Sequence, residues 1–283
     1  MGVAIQSHWF SVGNGAPWAE AGTGVVATQA TVNTSFGPRG LKMLKSGLSA
    51  KKVVDILVRS DKGRDYRQLA VLDSRGRVAA YTGRSCISEA GHIVGKTYSV
   101  QANMMLNKKV WPAMSKSFEK AKGPLAERML ASLEAAQRVG GDIRGSQSAA
   151  MIVVRYKSSR RPWEDRLIDL RVDDSQEPLV ELGRLLRIHR AYEQMERGES
   201  AAKHRNMRLV CRHYVAAEGL YPENEEIKFW HAVTLADNGM VKESLPLFRE
   251  VFRKDNNWKE LFKRLVPIGL DLDEKQLRSI LKQ

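Results

Sequence analysis

Cysteine is scarce in this chain, which has only Cys86 and Cys211 among its 283 residues. Two distant cysteines cannot form a disulfide framework or a cysteine-rich zinc site, and such a chain is typical of a reducing compartment. No apolar run approaches the roughly 20 residues that a bilayer span needs, and the first residues lack the basic start and apolar core of a signal peptide. The sequence therefore predicts a cytoplasmic protein with no membrane partner.

Acidic residues are fewer than basic ones: 32 Asp and Glu stand against 46 Lys and Arg, for a net charge of +14. Most of this excess precedes residue 189. Aromatic residues make up only 7% of the chain and are not interleaved with the basic ones, as nucleic-acid binding usually requires. The charge therefore predicts a solvated basic surface that favours anionic ligands, with no nucleic-acid partner.

Motifs for metals, nucleotides and conventional triads are lacking. The six histidines form no HExxH pattern, so no metal site is expected. No G-x-S-x-G elbow marks a serine hydrolase. Residues 90–97 loosely fit a phosphate loop, but no apolar strand precedes them and Tyr98 to Gln101 alternate like a strand. The sequence thus predicts no cofactor.

The first part of the chain contains short segments rich in Val, Ile and Ala, which predict strands. They cover residues 3–7, 24–31, 68–73, 78–81, 97–103, 148–156 and 167–172. Residues 74–77 have the composition of a hairpin turn, which makes the flanking strands antiparallel. The length of the chain and the composition shift after Ser175 predict two domains, residues 1–188 and 189–283.

Helical patterns fill the gaps between these strands. Ser49 is a candidate N-cap for a helix that buries Val53, Ile56 and Leu57. A second helix begins near Pro124, carries one apolar stripe, and ends at Gly140 and Gly141. The order of elements predicts an α+β domain whose sheets are covered by helix pairs.

Residues 189–283 show a weak internal repeat. Tyr214 and Phe248 are about 34 residues apart, the period of tetratricopeptide helix pairs. In each copy a first helix is expected to end near a glycine, at Gly198 and at Gly239. The second helix is expected to end in a polar turn, at 221–224 and at 254–257. The pattern predicts an all-α, tetratricopeptide-like domain.

Polar side chains cluster at predicted strand ends and in a glycine-rich turn. They are Gln6, Ser7, Thr28, Gln29, Asn33, Gln101, Asn103 and the turn residues Asp142, Arg144, Gln147 and Ser148. Such groups are costly to bury without partners, so they often line a cleft. The alternative is that they cap turns, which we expect for about half of them. Asp142 and Arg144 can likewise form a structural ion pair.

Several sequence strings resemble the uncharacterised family called domain of unknown function 1028. They lie at residues 2–7, 17–22, 27–30, 37–41, 65–68, 91–92, 98–104, 140–149 and 169–174. That family is similar to the N-terminal nucleophile (Ntn) hydrolases, which implies a four-layer αββα sandwich. Some members carry a C-terminal helical extension described as a peptidoglycan-binding module, which residues 189–283 resemble.

The resemblance also implies a mechanism. In Ntn hydrolases a terminal Thr, Ser or Cys supplies the nucleophile and its own α-amino group the base. By position in the sandwich, the implied catalytic residues are Ser7, Asn103, Asp142 and Ser148. The implied substrate-binding residues are Thr28, Gln29, Asn33, His92, Gln101, Arg144 and Gln147.

This sequence departs from the family at its start, because members begin roughly ten residues earlier with a strand that opens on Thr or Ser. The first strand of the sandwich is thus expected to be missing. Three explanations account for this departure: a misassigned start, a lost strand with lost activity, or an internal cut at Ser7, Ser11 or Thr23.

Two functions follow from this reading. The first is an Ntn-type amidohydrolase scaffold that acts on a small amide or peptide-like substrate and is inactive or nearly so as written. The second is a non-catalytic binding protein that uses the sandwich cleft and the helical tail. The expected partners are the small substrate, a peptide or peptidoglycan fragment at the helical domain, and further copies of the chain in a homo-oligomer.

Overall fold

The computed structural model describes residues 1–283. The chain is a mixed α/β protein in which about half of the residues are helical. It divides into two compact units, residues 1–185 and residues 186–283. All of the strands lie in the first unit, and the second unit is entirely helical.

The first unit alternates strands with helix pairs. Its strands are β1 (Gly2–Ser7), β2 (Pro17–Glu20), β3 (Gly24–Ala30), β4 (Arg67–Asp73), β5 (Val78–Thr82), β6 (Gly91–Val94), β7 (Ser99–Ala102), β8 (Ser148–Val154) and β9 (Arg166–Val172). Its helices are α1 (Phe36–Lys45), α2 (Ala50–Ser60), α3 (Val110–Lys120) and α4 (Leu125–Arg138). Helix α5 (Pro178–Lys203) begins in this unit and continues into the second.

The strands form three antiparallel sheets. One has the order β1-β8-β9, with Ser7 opposite Ser148, and the second has the order β2-β3-β4-β5. The hairpin β6-β7 forms the third sheet and contacts β5. Alternating side chains therefore present two faces on each sheet, and each face needs a covering layer.

Helices and sheets cover one another in pairs. Helices α1 and α2 pack on the four-stranded sheet, where Phe36, Leu57 and Leu69 are fully buried. Strands β1 and β8 contact β2, so the two larger sheets face each other. Helix α4 lies on β1, and α3 packs against α4 and the β6-β7 hairpin. This arrangement leaves space between β1 and its neighbours, where the candidate site lies.

Each of the seven predicted strands of the first unit overlaps an observed strand, and the hairpin at 74–77 is confirmed with Gly76 at φ 78°. The expected cap is also present, since the Ser49 hydroxyl accepts a hydrogen bond from Lys52 N. Ile56 was expected in the core but is 42% exposed, because α2 buries the face that carries Val53 and Leu57.

Strands β2 and β6 were missed because they are short and their sequences, Pro-Trp-Ala-Glu and Gly-His-Ile-Val, lack a clear alternation. The segment at 90–97 is a strand followed by a turn, closed by a hydrogen bond from Gly95 N to Tyr98 O. The strand β7 follows it. No helix leaves this turn, so the phosphate-loop geometry is absent.

The second unit continues from α5 through α6 (Met207–Leu220), α7 (Glu225–Asp237), α8 (Val241–Lys254), α9 (Asn257–Leu265) and α10 (Glu274–Leu281). Tyr214 and Phe248 are both fully buried, and Gly239 follows α7 with φ 81°. The expectation at Gly198 was wrong: α5 runs on to Lys203, and Gly198 lies inside it against the ring of Tyr214. No helix combines the length and apolar character needed to cross a membrane.

Candidate functional site

A cavity of about 1580 Å³ lies in the first unit. Its walls come from β1, β3, β4 and β7 and from helices α3 and α4. Apolar side chains such as Val3, Val100 and Met129 supply much of the lining. Polar groups reach it mainly from the ends of β1, β3 and β7 and from the turn after α4. A concave apolar cavity with a few convergent polar groups is the usual form of a small-molecule site.

Of the site residues predicted from the sequence, seven line this cavity and four do not. The lining residues are Ser7, Thr28, Gln29, Gln101, Asn103, Asp142 and Arg144. Asn33, His92, Gln147 and Ser148 lie elsewhere in the unit.

The two serines at the end of the three-stranded sheet differ in their surroundings. The Ser148 hydroxyl donates to Trp9 O and accepts from Val12 N at 3.0 Å, so it is committed to the loop after β1. Ser7 lines the cavity, but its hydroxyl has no side-chain partner that could serve as a base. Neither serine therefore has the hydrogen-bonded base that a serine nucleophile requires.

Asp142 and Arg144 form an ion pair at the cavity wall. Both Asp142 carboxylate oxygens accept from the Arg144 guanidinium, at 3.0 and 2.7 Å, and one accepts from Arg144 N at 2.9 Å. The hydrogen bond to Asp142 raises the pKa of Arg144. This pair shapes the turn, while the partly exposed guanidinium still faces the cavity.

Thr28 and Asn33 belong to the junction between β3 and α1. Thr28 is fully buried and donates to Asn33 O at 3.3 Å. The Asn33 side chain accepts from Ser35 N and donates to Asp61, so it stabilises the turn before α1. Asn33 thus has the turn-capping role that the sequence offers as the alternative to a binding role.

Two glutamines differ in where their amides point. Gln101 lines the cavity and accepts from the Ser99 hydroxyl at 2.8 Å. Gln147 lies outside the cavity and donates to Asp174 at 3.0 Å.

Gln6 also lines the cavity, and its side-chain nitrogen is buried with no hydrogen-bond partner. An unpaired buried donor costs roughly 1–3 kcal/mol.

Gln68 was not singled out from the sequence. It is fully buried in β4, where its side-chain nitrogen donates to Thr82 Oγ1 and Ala102 O, both at 2.9 Å. Its oxygen accepts from Asn103 Nδ2 at 3.1 Å. The available signal was weak: a single glutamine at the start of the predicted strand 68–73, directly before its apolar residues.

A second, polar pocket of about 500 Å³ lies beside the β6-β7 hairpin. His92 lines it, and the Thr82 hydroxyl contacts His92 Nδ1 at 2.8 Å. Burial lowers the pKa of His92, and it raises the pKa of the Cys86 thiol in the same pocket. No group of three or more His, Cys, Asp or Glu side chains is placed to hold a metal ion.

Comparisons with known proteins identify the family of this chain. No curated protein matches it. A crystal structure of a protein from Silicibacter pomeroyi, assigned to DUF1028, is similar to this chain with 29% identity and a TM-score of 0.59. The match covers 65% of this chain and 78% of that one. The family model described as a family of unknown function matches residues 1–182. The chain therefore belongs to the family of unknown function DUF1028.

Proposed function

We propose that residues 1–182 form a four-layer αββα sandwich of the Ntn-hydrolase type whose cavity binds a small amide or peptide-like molecule. The observation that carries this proposal is the cavity of about 1580 Å³. It combines apolar walls with an unpaired Gln6 amide nitrogen. The order helix pair, sheet, sheet, helix pair agrees with such a sandwich.

The polar groups of the cavity suit the two ends of a peptide-like ligand. The Gln6 nitrogen can donate to an amide carbonyl, since it has no partner in the protein. The Arg144 guanidinium can bind a carboxylate, because arginine keeps its charge throughout the physiological pH range. The excess of basic residues in the first unit attracts an anionic ligand toward it.

Binding is supported better than turnover by the residues of the cavity. Ser7 lacks a hydrogen-bonded base and Ser148 is committed to a loop. One observation favours amide hydrolysis as a second candidate. Met1 lines the cavity, and its α-amino group donates to Val154 O at 2.8 Å. Burial lowers the pKa of this amine, which favours the neutral form that a base requires.

A binding experiment with N-acyl amino acids tests the proposal, because these molecules carry both an amide and a carboxylate. We expect Arg144→Ala to weaken binding of an N-acyl amino acid by about tenfold, while binding of the matching neutral amide changes little. Ligand-observed NMR titration measures both constants. Gln147→Ala is the control, because Gln147 lies outside the cavity and should leave both constants unchanged.

Two results would contradict the proposal. One is the absence of binding across the panel. The other is binding that responds to Gln147→Ala as strongly as to Arg144→Ala. Turnover of any of these amides, detected as released amine, would instead support amide hydrolysis as the function.

For the second unit we propose a tetratricopeptide-like interaction domain that binds a peptide or a peptidoglycan fragment. The supporting observations are the equivalent buried positions Tyr214 and Phe248 and the short polar turns after α6 and α8. Assembly into a homo-oligomer and a cytoplasmic location are part of the same proposal. The two free cysteines suit a reducing compartment.

A further inference from the structure

The direction of the Gln68 amide is determined by the backbone around it. Its side chain is fully buried, and one end approaches Ala102 O at 2.9 Å and Gly91 O at 3.3 Å. Carbonyl oxygens only accept hydrogen bonds, so the end facing them must be the NH₂ group. The oxygen of Gln68 therefore points the other way, toward Asn103.

The orientation of Asn103 follows from that of Gln68. Only a donor can face the Gln68 oxygen, so Asn103 presents its Nδ2 group, at 3.1 Å. The Asn103 oxygen then has no partner within the protein, and Asn103 lines the cavity. At this position Asn103 thus presents its side-chain carbonyl oxygen to the cavity, and not its NH₂ group.

We propose that Gln68 is a positioning residue that fixes Asn103 with its side-chain oxygen toward the cavity, and that Asn103 thereby selects ligands with an N–H donor. This inference rests on the proposed function, because it assigns a preference to the same cavity. It narrows the ligand class to amides or amines whose nitrogen carries hydrogen. A ligand with a CH₂ group at that place would leave the Asn103 oxygen unpaired.

The hydrogen-bond chain continues from Gln68 to the second pocket. Thr82 Oγ1 accepts from the Gln68 nitrogen, and its own hydrogen finds an acceptor only in His92 Nδ1, 2.8 Å away. When the Thr82 hydroxyl donates to His92 Nδ1, the ring is neutral and carries its proton on Nε2. Protonation of Nδ1 would remove the acceptor of the Thr82 hydroxyl and disturb the contact with Gln68.

The surroundings of His92 include several charged or titratable groups. The segment before β6 places Arg84, Cys86 and Glu89 in the same pocket, and Lys108 lies there just before α3. Arg84 is paired with Asp65 at 3.0 Å. Strand β7 places the uncharged Gln101 opposite His92.

The test uses a matched pair of probes, N-benzylacetamide and benzylacetone. They differ at one position only, where the first has an NH group and the second a CH₂ group. In the native protein we expect the amide to bind about tenfold more tightly, which corresponds to one hydrogen bond of about 1.4 kcal/mol. Gln68→Met should reduce the preference to within about twofold, since Asn103 can then rotate. NMR titration at neutral pH measures all four constants.

A second set of variants separates positioning from a general structural role. Thr82→Val keeps the two carbonyl contacts of Gln68, so the amide preference should survive. The response of the Asn103 side-chain NH₂ resonance to the titration of His92 should disappear in this variant. Thr82→Ser restores the hydroxyl and should restore that response, which an unspecific packing defect would not do.

The outcomes distinguish this inference from the proposed function. If neither probe binds, the proposed function fails. If both probes bind equally well to the native protein, binding stands and the inference is overturned. If the Asn103 NH₂ resonance of the free native protein does not respond when His92 titrates, the coupling through Thr82 is overturned without any ligand.

Discussion

Asp73 is the buried carboxylate that joins the β4-β5 turn to the start of α2. The residue is 3% exposed, and its side chain accepts hydrogen bonds from Ala50 N, Arg75 N, Arg77 N and the Arg77 side chain. Burial alone would raise the pKa of Asp73, but these hydrogen bonds outweigh it and lower the pKa below its ordinary value. A single residue thus satisfies donors from two elements.

We expect Asp73→Ala to lower the free energy of unfolding by about 2–4 kcal/mol, because several buried donors lose their acceptor. Chemical denaturation measures the change. Asp55→Ala is the control, since Asp55 is a half-buried surface residue that pairs with the exposed Lys51, and its loss should cost no more than about 1 kcal/mol. Equal effects of the two substitutions would contradict this account of Asp73.

The stabilising effect of Asp73 should depend on pH. Its pKa is lower in the folded than in the unfolded protein, so its contribution is complete above the unfolded pKa. It is lost as the pH falls through the folded pKa. We therefore expect the stability difference between the native protein and Asp73→Asn to shrink on acidification. Urea denaturation across acidic pH measures this, and a difference that grew on acidification would contradict the sign.

At the scale of elements, helices α5 and α6 pack closely because Gly198 has no side chain. A Cβ added at Gly198 would come within 2.8 Å of the Tyr214 ring, whereas one at Gly219 in α6 would meet nothing within 4 Å. The sequence pattern predicts the end of a helix at Gly198, since glycine often follows the last residue of a helix. Only the position of Tyr214 shows that it marks a close helix contact.

These two glycines make a matched pair of substitutions. Gly198→Ala should destabilise the second unit by about 1–3 kcal/mol through overpacking against Tyr214. Gly219→Ala should stabilise it by about 0.5–1 kcal/mol, because alanine favours the helix and has free space. Thermal unfolding of both variants measures the signs. A stabilising Gly198→Ala would mean that α5 and α6 are not in close contact there.

At the scale of the whole molecule, each unit has its own hydrophobic core. The second unit is built on aromatic residues, with Phe229, Phe248 and Phe262 in one fully buried cluster. The first unit is built on Phe36, Leu57 and Leu69 against its four-stranded sheet. The cavity lies wholly within the first unit.

We expect Phe248→Ala to destabilise the second unit by about 3–5 kcal/mol, as for other large buried aromatic residues. Probe binding in the cavity should persist, because no residue of the second unit lines it. Hydrogen exchange followed by mass spectrometry locates the loss of protection. Loss of protection throughout residues 1–185 would contradict the division into two cores.

The sequence by itself determined seven of the nine strands, the Ser49 cap, the glycine end of α4 and the all-helical character of the tail. These features depend on local patterns of apolar residues and on backbone preferences, which neighbouring residues encode directly. It also identified polar residues that could form a site, together with the alternative that some of them only cap turns. The residues alone could not separate the two groups.

Tertiary structure decided that separation, since it depends on contacts between residues far apart in the chain. Asn103 faces the cavity because Gln68 holds its amide, and Gln68 is held in turn by carbonyls from the β6-β7 hairpin. Ser148 is removed from the site by a loop more than a hundred residues earlier in the sequence. Hydrogen-bond partners of this kind follow from packing, and no local pattern specifies them.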